Sequence, residues 1–212
     1  KLDNPGETEE GTFPTDKVIG GYDFAGTMYA AGASGDYGVP KPDQDPRDQQ
    51  GHGTHVAGIV AGVEGARVVQ RGVAPRAELI ALKVFGGIGG GTELANDAIE
   101  WAIEANLGRP IKGRCRRDAN NLCRVDVINM SLGSNWAIGV EEAEGVVRRA
   151  TQAGILIVAA AGNAGNIGFI TGSPAASPEA LSVASTLAPG QRVELVQLTM
   201  DGQPRELEAL EA

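Results

Sequence analysis

Polar sequence without a period fills residues 1–16, with Gly and Pro scattered among acidic side chains. Neither the strand period nor the helix period runs through it, so it predicts a surface loop. The first apolar cluster is KVIGGYDF at 17–24, a short strand candidate. Residues 25–50 return to Gly, Asp and Pro. They predict a second polar loop, long enough to be functional or a family-specific insertion. From residue 52 the pattern changes. Residues 52–63 are small and apolar almost all round, which predicts a helix buried on every side. AELIALKVF (77–85) predicts a strand and GGIGGG (86–91) a loop, with Thr92 as N-cap of the helix that follows. In that helix Leu94 and Ala95, Ala98 and Ile99, and Ala102 and Ile103 form an apolar stripe at a spacing of four. VDVINMSL (125–132) predicts the next strand. Residues 140–153 predict a helix with Val140, Ala143, Val147 and Ala150 on one face, ended by Gly154. Residues 155–160 are continuously apolar, a strand buried on both faces, and ALSVAS (180–185) is one more. Residues 193–200 alternate loosely before a turn signal at 201–202, and the last ten residues are acidic and polar.

Strands alternating with helices, and nearly unbroken apolar strands, predict an α/β fold with a mostly parallel sheet and helices on both faces. Ligands in such folds bind beyond the carboxyl ends of the strands, so the loops that start at Gly86, Ser131 and Ala161 are the candidates. No internal repeat interrupts this order. The 212 residues amount to about one domain. A net charge of −9 argues against nucleic acid as a partner, and the one basic knot, 112–117, is short and broken by Gly113 and Cys115. The longest apolar run, 155–161, is far too short for a membrane span. The chain starts in polar sequence without Met and is read as a mature or trimmed product, or a fragment. Cys115 and Cys123 lie in one polar loop without a C-x-x-C pattern. A local disulfide, fitting a secreted protein, and two free thiols both suit that loop.

The candidate chemistry begins at QGHGTHVAG (50–58), which holds the only two histidines, His52 and His55. Metal binding lacks further ligands: position 53 is Gly where a zincin has Glu, and both cysteines are elsewhere. A structural pair is the plain alternative. His52, however, would sit at the exposed start of its helix, a place for a general base. Asn163 ends a buried strand, where Asn often turns the chain, but where its amide can also donate to a developing oxyanion. The glycines of 86–91 fit neither the dinucleotide nor the P-loop fingerprint. They can instead expose backbone to an extended peptide.

Taken in order, HGTHVAG (52–58), GVAP (72–75), LKVF and its Gly-rich loop, AIEWA (98–102), DVINMSLG (126–133), VAAAGN (158–163) and GSPAASPEALSVAS (172–185) resemble the subtilisin-like serine proteases. The resemblance covers roughly residues 17–186. It implies that His52 is the triad base, that His55 supports the buried helix, and that Asn163 is the oxyanion donor. It implies that Ser131, Leu132 and Gly133 line the primary side-chain pocket and pair with substrate backbone. Ala160, Ala161 and Gly162 would form the facing wall, and Gly89, Gly90 and Gly91 the other edge. The substrate would be a peptide or protein, bound as an extra strand. Two parts of the family pattern have no counterpart. The orienting Asp belongs to a D-T-G-like strand end, but Asp3 and Asp16 lie in loop sequence. The nucleophile belongs to a G-T-S-M-like motif, which none of the seven serines matches. Ser131 ends a strand and is not on a nucleophile elbow.

The expectation is therefore a partial catalytic domain at 1–186, incomplete at both ends, that carries base and oxyanion donor while the remaining parts of the parent protease carry Asp and Ser. Residues 187–212 would begin a linker or insert, such as the protease-associated domain that some large extracellular relatives carry. The isolated chain is expected to be inactive and the parent secreted or at the cell surface. No cofactor is expected. Calcium is common in the family, but the acidic stretch 36–48 also suits a solvated surface, so no metal is assigned. Two alternatives stand beside this reading: a non-catalytic peptide-binding homologue, and a nucleotide-binding α/β domain disfavoured by the failed fingerprints.

Overall fold

A computed structural model describes residues 13–65, 71–136, 141–165, 167–186, 194–200 and 203–209. Asp3, Val140 and the turn signal at 201–202 lie outside the described residues. Strand β1 (Val18–Asp23) pairs in parallel with β2 (Leu79–Lys83). On its other side β1 takes a two-residue antiparallel partner, β3 (Arg114–Cys115). A second sheet holds β4 (Val127–Met130), β5 (Leu156–Ala160) and β6 (Ala180–Val183), all parallel, in that order. Helix α1 (His52–Ala61) precedes β2, α2 (Ala95–Asn106) connects β2 towards β4, and α3 (Glu141–Gln152) connects β4 to β5. The expected parallel sheet is thus present as two parallel pieces, with β2 and β4 at their open edges. A third unit, the antiparallel hairpin of β7 (Glu194–Met200) and β8 (Gln203–Ala209), pairs with itself. Strand β8 falls in the tail that reads only as acidic and polar sequence. Its alternation is masked by Glu and Arg, which strands otherwise rarely favour.

The core lies where α2 and α3 pack on each other and on β4 and β5. Ile99, Trp101, Ile103, Val146, Val147, Ile155 and Ile157 are buried there. The apolar stripe of α2 is the face that enters this core, as its period of four predicts. The helix begins at Ala95, later than Thr92 suggests. The Thr92 hydroxyl instead donates to the Val84 carbonyl and accepts the Leu94 N–H at 3.1 Å, tying the loop down ahead of the helix. Gly154 ends α3 as expected, with Ile155 N–H donating back to Ala150 O at 2.9 Å. Asn106 clamps three elements: its amide donates to Val125 O (2.8 Å) and Ala153 O (3.3 Å) and accepts Val125 N–H (2.7 Å). Cys115 and Cys123 form a disulfide with Cα atoms 5.9 Å apart, and Cys123 is buried, so β3 is tied into the core.

Two burial expectations are corrected. Strand β5 alternates instead of being buried on both faces. Ile157 and Ala159 are buried under α2 and α3, whereas Leu156 is 45% exposed. On the same face Val127, in register with Leu156, and Leu181 and Val183, in register with Val158 and Ala160, are about half exposed. Helix α1 is not buried all round either: only Ala61 is buried, and Ile59 is exposed. In both cases the sequence has the composition of a covered surface, and among the described residues nothing covers it. The long loop 25–50 differs in the other direction. Backbone bonds Asp43 N–H to Asp23 O, Lys41 N–H to Ala25 O and Gly87 N–H to Thr27 O fasten it, and Ala25 and Tyr29 are buried.

Ile157→Ala should cost about 2–5 kcal/mol of stability. Leu156→Ala, one residue away on the open face, should cost about 1 kcal/mol or less. Urea unfolding of the two variants checks this; equal losses would mean that both faces of β5 are covered.

Candidate active site

The site is built on the turn that launches α1. Asp48 sits four residues before His52, and its carboxylate gathers the chain around it. Oδ1 accepts the N–H groups of Gln50 and Gly51, both at 2.8 Å. Oδ2 accepts the Thr54 N–H at 2.8 Å and the Thr54 hydroxyl at 2.9 Å. Gly51 takes φ 98°, a left-handed turn that a side chain would strain, and the helix starts at the next residue. An anionic acceptor here satisfies unpaired amides at the positive end of the helix. Partial burial pushes the Asp48 carboxyl up, but the Gly51, Thr54 and Gln50 amides and the Thr54 hydroxyl outweigh it and hold the pKa at about 2. His52 is thereby fixed as the first residue of α1, with its side chain exposed and its N–H donating to Gln50 Oε1 at 3.2 Å. The sequence carries a signal for this clasp, an Asp–x–x–Gly turn directly before the helix, inside the polar stretch 25–50.

A cavity of about 1510 Å³ opens beside His52. Its wall includes His52, Gly53, Gly89, Gly90, Ser131, Leu132 and Gly133. The fold therefore brings the predicted base, two glycines of one strip and all three residues of the other to a single cavity. Gly91 is turned to another use: its carbonyl accepts the Ala31 N–H at 3.1 Å. Gly86, in the same loop, lies so close to Tyr29 that a Cβ would fall 2.1 Å from the Tyr29 carbonyl oxygen. Part of the glycine content of 86–91 thus serves the close packing of loop 25–50. Ala160 ends β5, Ala161, Gly162 and Asn163 follow it, and none of the four is among the lining residues. Ala160 does sit next to the 131–133 strip, since a Cβ on Gly133 would lie 3.9 Å from Ala160 O. Asn163 is exposed.

The Ser131 hydroxyl accepts a hydrogen bond from Asn129 Nδ2 at 3.1 Å. Among the described residues no carboxylate or hydroxyl hydrogen-bonds the His52 imidazole. His55 is exposed, and its backbone N–H donates to Gly51 O. The burial expected of it as a support residue is not met, because α1 lacks cover on that side. The one buried charged residue among the described residues is Asp23, 1% exposed, at the carboxyl end of β1. It pairs with Lys83 Nζ at 2.7 Å and accepts the Ala25 and Gly26 N–H groups at 2.8 Å. Lys83 also donates to Gly26 O, so this pair joins the ends of β1 and β2. Burial first, then the charges of Asp23 and Asp45, push the nearby Asp43 carboxyl up, against the pull of the Asp45 amide and Lys83.

The profile of the subtilase family, Peptidase S8, matches residues 23–197. The chain belongs to the subtilase family. It is 36% identical over 157 residues to Subtilisin E of Bacillus subtilis, an alignment that spans 73% of this chain and 36% of that protein. It is 42% identical over 147 residues to the thermostable alkaline protease of Halalkalibacterium halodurans, across 68% of this chain and 34% of that one. The chain thus spans about a third of the length of these relatives. Among solved structures, Sphericase aligns with TM-score 0.55 and 29% identity, over 88% of this chain and 50% of that one. The S41 psychrophilic protease aligns with TM-score 0.51 and 31% identity, over 91% and 51%. The fold is accordingly the subtilisin-like α/β fold. Among the described residues no helix is long and apolar enough to cross a membrane.

The Asp48 carboxyl has a folded-state pKa near 2 against about 3.9 when unfolded. A lowered pKa contributes stability that is fully present above about pH 4 and is lost as the pH falls towards 2. Asp48→Asn should flatten that part of the stability profile between pH 2 and 5, and Asp48→Ala should cost about 0.5–2 kcal/mol at neutral pH. Urea midpoints measured across this range test both.

Proposed function

We propose that this chain is the base-bearing part of a serine endopeptidase that cleaves peptide bonds through an acyl-enzyme. The carrying observation is that His52, placed at the first turn of α1 by the Asp48 clasp, shares a cavity with Gly89, Gly90 and the Ser131–Leu132–Gly133 strip. A peptide lying extended between these strips can use their exposed backbone groups, as an added strand does. His52 takes the proton of a serine hydroxyl as the oxygen attacks the scissile carbonyl. It then gives that proton to the departing amine, and water repeats the sequence to release the acid. Asn163 donates to the oxyanion, with Ala160, Ala161 and Gly162 as the facing wall. The serine and the acid that orients His52 come from outside these 212 residues, so the isolated chain has no peptidase activity. Residues 1–186 are the catalytic part, and 187–212 begin a separate insert, a division supported by the self-paired hairpin β7–β8. Location outside the cell is supported by the Cys115–Cys123 disulfide, since such bonds persist in oxidising compartments.

A second reading, a peptide-binding homologue without turnover, is favoured by one observation. No acid or hydroxyl is bonded to His52 among the described residues. The two readings separate in kinetics of the intact protease. His52→Ala should abolish turnover while the fold persists by circular dichroism, and Asn163→Ala should lower kcat about a hundredfold or more with little change in KM. Unchanged kcat in Asn163→Ala would remove the oxyanion role, and an intact protease without turnover would favour the binding reading.

A further inference from the structure

Residues 27–31 of the long loop 25–50 are held against the glycine loop 86–91. The Gly87 N–H donates to Thr27 O at 2.7 Å, and the Ala31 N–H donates to Gly91 O at 3.1 Å. The second contact is an antiparallel bridge of one residue. Between the two, Tyr29 is 4% exposed and packs its backbone so close to Gly86 that a Cβ has no room there. Its hydroxyl accepts the Glu93 N–H at 3.4 Å. Ala30 backs Gly90: a Cβ on Gly90 would lie 2.9 Å from the Ala30 Cβ. Ala30 is fastened in turn to the outer part of its own loop, its N–H donating to Tyr37 O at 2.8 Å. None of residues 27–31 lines the cavity beside His52, whereas Gly86, Gly89 and Gly90 do. Residues 27–31 therefore lie behind the glycine loop as seen from the cavity. One contact continues to the turn that carries His52. Gln49, next to Asp48 and in the cavity wall, donates from Nε2 to the Thr27 hydroxyl at 3.4 Å. Its Cβ lies 2.8 Å from where a Cβ on Gly87 would be.

Gly89 and Gly90 adopt φ 82° and 99°, left-handed values that glycine reaches freely and holds weakly. A strip of such residues left to itself has to be ordered by every peptide it binds, at a cost in affinity. We propose that residues 27–31 are a positioning segment for the peptide-binding strip. Ala30 and Ala31 hold Gly89 and Gly90 in binding shape, and Thr27 fixes the spacing between the strip and the His52 turn. This rests on the reading of Gly89 and Gly90 as the strip along which a peptide lies. It gives the long loop 25–50 a task in substrate binding. It also makes Gly91, whose carbonyl is taken by Ala31, a supporting residue and not a peptide contact. Peptide length is the property so controlled. A substrate long enough to lie along Gly89 and Gly90 gains from a preset strip, whereas a short one that reaches only residues 131–133 does not.

Ala31→Pro removes the N–H that donates to Gly91 O. In the intact protease it should raise KM about tenfold for a long peptide that spans the strip, the loss expected of one hydrogen bond. Because the Thr27 contacts remain, kcat should stay within about twofold, as should kcat/KM for an acetylated single-residue ester. Lys41→Pro breaks a bond of the same kind far from the strip, Lys41 N–H to Ala25 O at 3.0 Å, and should change neither substrate. Ala30→Gly removes the methyl behind Gly90 and keeps every backbone bond. It should raise KM for the long peptide about threefold with the same split, and it decides the matter if Ala31→Pro fails to fold. If the intact protein does not turn over, the Kd of the long peptide takes the place of KM, so failure of the peptidase reading is seen separately. On the 212-residue chain, 15N relaxation reads the strip without substrate. The Gly89 and Gly90 order parameters should fall from about 0.85 to below about 0.6 in Ala31→Pro and stay high in Lys41→Pro. Unchanged order parameters, an equal rise in KM for both substrates, or an equal effect of Lys41→Pro would overturn the proposal. Lowered order with unchanged affinity for the long peptide would overturn it too. An intact protein that neither turns over nor binds the long peptide would remove the strip reading and this proposal with it.

Discussion

Among the described residues, strands β2 and β4 each pair along only one of their two hydrogen-bonding edges, and the other features of the structure follow from that constraint. The two open edges divide an otherwise parallel sheet into two pieces. They define the long cavity between those pieces, and they leave α1 with little to pack against. Stability is concentrated away from the gap, where α2 and α3 close over β4 and β5 and Asn106 joins the ends of three elements. The described residues therefore form one dense core beside one long open cavity. Gly89, Gly90 and residues 131–133 line the cavity.

His52 stays in place there because its position rests on local bonds. The Asp48 carboxylate, not the core, fixes where α1 begins. The Asp23–Lys83 pair does similar work at the other sheet, holding the ends of β1 and β2 against loop 25–50. Both are buried or partly buried charges matched by several donors, which is the condition under which such groups stabilise a turn instead of opposing the fold. Each lies at the carboxyl end of a strand or the amino end of a helix, the region where an α/β fold places its chemistry.

Much of this was legible in the sequence because it is carried by local periodicity. The stripe of α2, the Gly154 stop of α3 and the six strands from β1 to β7, excepting β3, follow from patterns within single segments. HGTHVAG and INMSLG gave the family, and the fold brought His52 and 131–133 to one cavity. What the sequence misrepresented was burial. An apolar helix at 52–63 and an apolar strand at 155–160 have the composition of covered elements, but cover depends on chain that no local pattern reveals. The Asp48 clasp was missed for the opposite reason. An Asp in an acidic, Gly-rich loop looks like solvated surface until the amides that it accepts are located in space. Strand β8 was hidden by its charge, and β3 by its length of two residues.

The central claim is that His52 is a base whose nucleophile lies outside these 212 residues. Treatment of the folded chain with a fluorophosphonate probe, followed by mass spectrometric mapping of adducts, tests it most directly. The account predicts no covalent adduct on any of the seven serines. An adduct on Ser131 would contradict it, since the strand-end hydroxyl now bonded to Asn129 would then be the nucleophile that His52 activates.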